Sequence, residues 1–129
     1  MSATKPYKNR ETREIGRGEG LSLQFTVYSD QAHTTFYDIS SGTIIITFAL
    51  AKKSSDTAMI TKTSAVITEI EKTDPTNGVF VVKLANTDTS ALDVGSYRFD
   101  AVLSDSSTSP ATKKIISRGD IVIIEGVAI

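Results

Sequence analysis

The sequence has no cysteine, a single histidine, only three prolines and a formal net charge of -1 over 129 residues. Without cysteine there can be no disulfide, no thiolate metal site and no cysteine nucleophile, so the fold has to rest on its core. One histidine excludes multi-histidine metal sites. The near-zero charge argues against a partner captured by bulk electrostatics, duplex nucleic acid above all. No segment approaches the roughly 18 apolar residues a membrane helix needs. The opening residues MSATKPYKNRETREIGRGEG lack the apolar centre of a secretory signal. A soluble protein made in the cytoplasm is the expectation, with one domain that buries roughly two thirds of its unfolded surface.

What is present is β-forming pattern. Residues 1–20 carry five basic and three acidic side chains and few apolar anchors, which reads as a flexible N-terminal arm. From Leu21 to Tyr28, apolar Leu21, Leu23, Phe25 and Val27 alternate with polar or half-polar neighbours, the period of a strand with one buried face. Thr43 to Lys52 places Ile44, Ile46, Phe48 and Leu50 on one face and Thr43, Ile45, Thr47 and Ala49 on the other, as in a central strand partly covered on both sides. Met59–Lys62 and Ala65–Glu71 are short β-prone pieces. Asp74-Pro75-Thr76-Asn77-Gly78 is suited to a hairpin reversal into Val79–Leu84. After the polar crossing NTDTSALDVG, Tyr97, Phe99, Ala101 and Leu103 line one face of Ser96–Ser104. Ile115–Glu125 forms a last strand with a bulge or bend near Arg118-Gly119. Six or seven strands with no convincing helix give an all-β antiparallel sandwich over residues 21–129, or a small barrel.

Asp93-Val94-Gly95-Ser96-Tyr97 reads D-x-G-x-Y just before a strand. In immunoglobulin-like sandwiches the tyrosine corner has this form, with the ring closing the core and the hydroxyl bonded to backbone upstream. Tyr97 is then a peg, Leu92 closes the same end of the core, and Gly95 supplies a conformation that β-branched residues resist. Phe99 stands where a disulfide-bearing domain has cysteine. A catalytic tyrosine is the competing reading, but no lysine, histidine or metal cluster lies nearby in sequence.

The pattern extends further. Leu84 through Tyr97 runs strand-end leucine, Asp-Thr, leucine, Gly-x-Tyr, and Tyr37-Asp38-Ile39-Ser40-Ser41-Gly42-Thr43-Ile44 looks like a D-[IL]-[ST]-x-[GA]-x-[IV] entry into a long strand. Together these resemble the immunoglobulin-like N-terminal domain of bacteriophage baseplate upper proteins and related tail-fibre and head-fibre modules. The resemblance spans about Leu21 to Glu125. It implies a virion structural role without catalysis, cofactor or metal, in contact with other virion proteins and as a homo-oligomer. With no receptor-binding part following Ile129, a stand-alone decoration or adaptor is expected rather than a carrier.

Other candidate chemistry has a plainer reading beside it. His33, next to Thr34 and Thr35, is the sole conventional general base but reads as a solvated loop histidine. The hydroxyls of Ser104–Ser109 come without a G-x-S-x-G elbow. Gly16-Arg17-Gly18-Glu19-Gly20 lacks the preceding strand and following helix of a phosphate loop and reads as a hinge. Asp30, Asp38, Asp100 and Asp105 could gather at one end and hold calcium, although no calcium-loop motif exists. Glu69 and Glu71 read as a solvated face. The arm's Lys5, Lys8, Arg10, Arg13 and Arg17, with Tyr7 as a stacking partner, could touch nucleic acid, yet Glu11, Glu14 and Glu19 reduce the arm to about +2. Folding onto a neighbouring subunit is the better use, so Tyr7, Arg10, Arg13, Arg17, Val127 and Ile129 are candidate assembly contacts. Phe36 and Tyr37 are the loop aromatics suited to a second role, recognition of a host glycan or protein.

Overall fold

The computed structural model describes residues 9–53, 57–107 and 110–125. Among the described residues eight strands are formed: β1 (Asn9–Gly16), β2 (Leu21–Thr26), β3 (Ile44–Lys52), β4 (Ala58–Thr63), β5 (Ile70–Asp74), β6 (Val79–Leu84), β7 (Gly95–Asp105) and β8 (Thr112–Ile124). They make a five-stranded sheet, β1-β8-β7-β3-β4, packed on a three-stranded sheet, β2-β6-β5. This is the immunoglobulin-like sandwich. β2, β6 and β5 take the places of strands B, E and D, while β8, β7, β3 and β4 take those of G, F, C and C′. All pairings are antiparallel except β1 on β8, which is parallel.

The alternation read in the sequence accounts for the core. Leu23 and Phe25 from β2, Ile44, Ile46, Phe48 and Leu50 from β3, Phe80, Val82 and Leu84 from β6, and Tyr97, Phe99, Ala101 and Leu103 from β7 are all buried. Phe25 meets Phe99 across the two sheets at 5.7 Å between ring centroids, and Phe48 packs on both, at 6.2 and 5.7 Å. These rings occupy the region where a disulfide and tryptophan pin the sheets in antibody domains. Each buried phenylalanine contributes about 1.5–3 kcal/mol and each ring pair about 0.5–1.5 more. One such ring with one such pair is already comparable to the roughly 2–4 kcal/mol of a disulfide.

Several elements differ from the sequence-based expectations. The flexible arm does not extend to residue 20, because Asn9–Gly16 is a strand. Local composition hid it: among its described side chains Ile15 alone enters the core, and β8, distant in sequence, supplies the ladder. The glycine-rich segment after it is a pinned turn rather than a hinge. Glu19 N–H donates to Gly16 O, Gly16 N–H to the Glu19 carboxylate, Arg17 N–H to Ile124 O and Gly18 N–H to the Thr89 hydroxyl. The β-prone piece before β5 is strand only from Ile70. Residues 64–69 turn instead, held by Ser64 N–H on Ile46 O, Glu69 N–H on Val66 O and Thr63 N–H on the Glu69 carboxylate.

The polar crossing contains a short helix, α1 (Asn86–Ser90), whose Asp88 carboxylate reaches back to Ala85 N–H at 2.8 Å. The irregularity in β8 falls at Ile116, where the register passes from Ala101↔Ser117 to Val102↔Ile115. That extra residue reverses the parity of the strand, so Ile116 and then Ser117, Ile121 and Ile123 all face inward.

The Asp74–Gly78 reversal forms as expected, through a 3-10 turn at Pro75–Asn77 ending on Gly78 in the left-handed region, at φ 74°. A Cβ there would stand 2.5 Å from Val27 O and 2.8 Å from Tyr37 O, so the position requires glycine. The reversal thereby lies under the β2–β3 loop, to which Gly78 O and Pro75 O also bond through Val27 N–H and Ile39 N–H.

Candidate functional site

The Tyr97 corner has the geometry its motif implies. The ring is 1 % exposed, and the hydroxyl donates to Asp93 O at 2.8 Å. Leu92 is buried in the same core cluster, and Gly95 takes φ 149°, a conformation other residues rarely adopt. A belt of backbone bonds closes the same end. The buried Thr89 hydroxyl donates to Glu19 O at 2.8 Å and accepts from Gly18 N–H at 3.0 Å, tying α1 to the β1–β2 turn. Lys62 reaches Asp88 at 2.9 Å. Burial pushes the Asp88 carboxyl up, but Lys62 and the Ala85 N–H outweigh it and leave the group below its ordinary value. The corner is architecture.

At the other end of β7, the loop between β2 and β3 is built around Asp30. Its carboxylate accepts from Thr34 and Thr35 N–H at 3.0 and 3.1 Å and from the Thr34 hydroxyl. The Thr34 hydroxyl first, then the Thr35 N–H, hold the carboxyl below its ordinary value. This turn carries His33 at φ 59°, the one non-glycine residue with positive φ among the described residues. His33 is stacked flat on Tyr28, ring centroids 4.1 Å apart and planes 2° apart, and Phe36 packs against the same tyrosine at 5.7 Å. Phe36 is 48 % exposed. Tyr37 turns the other way, half-buried against the core, where desolvation raises its hydroxyl above the ordinary value.

The two loop aromatics singled out in the sequence are therefore separated in role, and His33 and Tyr28 join Phe36 instead. No spacing rule links positions 28, 33 and 36; the only local signal is the Asp30-x-x-x-Thr34-Thr35 turn chemistry.

The remaining sequence candidates divide. Arg13 is not free for a neighbour: its guanidinium lies 4.3 Å over the Phe25 ring and donates to Gln24 O at 2.5 Å, closing the sandwich edge between β1 and β2. Arg17 has an exposed side chain beside the pinned turn. Arg10 stands in β1 opposite Arg118, with its side chain outside the described residues, as are Tyr7, Val127 and Ile129.

The four aspartates do not converge on a calcium site. The Ser40 hydroxyl first, then the Ser40 N–H, hold the Asp38 carboxyl low, and the Ser107 N–H first, with the Ser107 and Thr43 hydroxyls, holds the Asp105 carboxyl low. Asp100 pairs with Arg118 at 2.9 Å. No cluster of three or more metal-ligating side chains occurs among the described residues. Glu71 pairs with Lys83 across β5 and β6 at 2.8 Å.

On the outer face of the five-stranded sheet, Arg98 and Asp100 of β7 lie opposite Asp120 and Arg118 of β8. Arg118 Nε donates to Asp100 at 2.9 Å, Arg98 stands 3.9 Å from the same carboxylate, and Lys53 lies 3.3 Å from Asp120. Beside this ladder the outward positions of β3 and β7 are Ile45, Thr47, Ala49 and Val102, all half-exposed and uncharged.

No protein-family model matches the chain, and no curated protein matches its sequence. Among the described residues no helix is long and apolar enough to cross a membrane.

Proposed function

We propose that this chain is a non-enzymatic structural subunit of a bacteriophage virion, acting through protein–protein assembly as a tail or baseplate adaptor, a head fibre or a capsid decoration. The observation that carries the reading is the use made of the two segments that resemble phage modules. Asp38-Ile39-Ser40 is a framework entry, with Ser40 N–H bonded to Asp38 at 2.8 Å and Ile39 fully buried, and Asp93–Tyr97 is the core-closing corner. Both serve to make a rigid shell whose sheet faces and loops are left for contact, the arrangement an assembly module needs. Particles purified from a host carrying the labelled chain test it: electron microscopy is expected to find the label at regular positions on tail or head, and its loss during purification would overturn the proposal.

A second reading is favoured by the stack of Tyr28, His33 and Phe36. A pre-organised, exposed aromatic surface suits the apolar face of a sugar ring. Under this reading the domain presents the stack to a host glycan. Saturable binding on a glycan array, lost in Phe36→Ala, is the expected result; no binding by the folded protein removes this reading and leaves the first in place.

A further inference from the structure

We infer that the outer face of the five-stranded sheet is an interface between two copies of this chain. The inference deepens the assembly reading and rests on it for the expectation that copies meet.

The charges carry the argument. Arg98 and Asp100 stand two residues apart on β7, and their cross-strand partners on β8 are Asp120 and Arg118. Plus and minus therefore alternate along each strand and across the pair, a checkerboard of four. All four side chains point outward, because Tyr97, Phe99, Ala101 and Ile121 between and beside them are buried. Each is partly exposed, from 27 % for the Asp100 side chain to 41 % for Asp120.

A checkerboard of this kind is complementary to itself. Turning a second copy by 180° about an axis in the sheet plane, along the strands and midway between β7 and β8, lays its β8 over this β7. Arg98 then faces Asp120 of the second copy, and Asp100 faces Arg118. A two-fold axis perpendicular to the strands works equally, pairing Arg98 with Asp100 and Arg118 with Asp120. This is the self-complementarity that an isologous interface requires, and it disfavours partners carrying one sign of charge.

The surroundings fit the same use. Ile45, Thr47, Ala49 and Val102 leave the β3 side of the face uncharged, and Thr61 and Thr63 continue it onto β4, while Lys53 adds a cation beside Asp120 and Lys113 another opposite Ser104. Five strands about 4.8 Å apart, six to thirteen residues long and about nine on average, give a face of roughly 24 by 30 Å, or about 700 Å² in projection. The axis along the strands between β7 and β8 overlaps four of the five, about 570 Å², the size of a small, reversible interface.

Sedimentation of the full chain across a concentration series is the test. A reversible dimer is expected, and a protein that stays monomeric to about 1 mM, where even weak pairs form, overturns the inference. Two charge-swapped chains sharpen it: Asp100→Lys with Asp120→Lys makes the checkerboard wholly positive, and Arg98→Glu with Arg118→Glu makes it wholly negative. Each alone is expected to dimerise at least about tenfold more weakly, since like charges then face each other, and an equimolar mixture is expected to pair. Dimers of unchanged strength in each separate chain, or a mixture that stays monomeric, contradict it.

Ile45→Arg, opposite Ser104 and four residues along β3 from the neighbour of Asp100, leaves the ion pairs intact and so serves if the swapped chains fold poorly. It is expected to abolish the dimer, and an undiminished dimer counts against this face. A monomeric chain that is nevertheless found in particles removes the interface and leaves the assembly reading standing.

Discussion

The two ends of β7 use aromatic rings in opposite ways. At the Gly95 end Tyr97 is buried, its hydroxyl is bonded to Asp93 O, and Leu92, Thr89 and the β1–β2 turn close around it. At the Asp105 end, where Thr43 bonds Asp105 at 2.8 Å, the adjoining loop holds Tyr28 half-exposed between His33 and Phe36. One end spends an aromatic ring on sealing the core; the other holds aromatic rings in order at the surface. The difference lies in what surrounds each ring: backbone acceptors and aliphatic side chains at the first, a solvated Asp30-centred turn at the second.

The largest effect expected is on the sealed end. Tyr97→Ala should cost about 3–5 kcal/mol of folding stability in urea denaturation, as for other large aromatic truncations in cores. Phe36→Ala at the open end should cost less than about 1 kcal/mol, because its ring is 48 % exposed. Similar losses for both would break the contrast.

Gly78→Ala refines it from below. The hairpin that ends on Gly78 supports the open loop, and a methyl group there meets Val27 O and Tyr37 O. A loss of at least about 1–3 kcal/mol is expected from the left-handed backbone alone. Tyr28 and His33 resonances are expected to shift in the residual folded protein; unchanged stability would show that the loop does not rest on this turn.

The smallest of these effects is the pH dependence of the sealed end. The Asp88 carboxyl is held below its ordinary 3.8, so its contribution is complete above that value and fades as pH falls through the lower folded value. Asp88→Asn should therefore lose about 0.5–1 kcal/mol at neutral pH and show a shallower acid slope below about pH 4 than the parent chain.

Much of the sealed end was legible in the sequence, because period-two alternation and D-x-G-x-Y both depend on residues close together in the chain. Every apolar residue assigned to the inner faces of β3 and β7 is buried there. What escaped depends on distant partners. β1 exists because β8 offers a parallel ladder, the glycine-rich turn is fixed because Thr89 reaches it from α1, and Arg13 is engaged because Phe25 and Gln24 face it. The Ile116 bulge was misplaced by a few residues because Gly119 suggested a break, whereas the ladder shifts between Ile115 and Ser117. The aromatic stack was half seen: Phe36 was singled out, but its partners are brought together by the loop's hydrogen bonds and not by any period.

The most direct test of the contrast between the ends is a paired unfolding measurement on Tyr97→Phe and Tyr28→Phe, each removing a single hydroxyl. Tyr97→Phe is expected to lose about 1–2 kcal/mol, because it strips the hydrogen bond from a buried ring and leaves Asp93 O without that donor. Tyr28→Phe is expected to change stability by less than about 0.5 kcal/mol. Equal losses, or the larger loss at Tyr28, would contradict the account of one end as sealed core and the other as displayed surface.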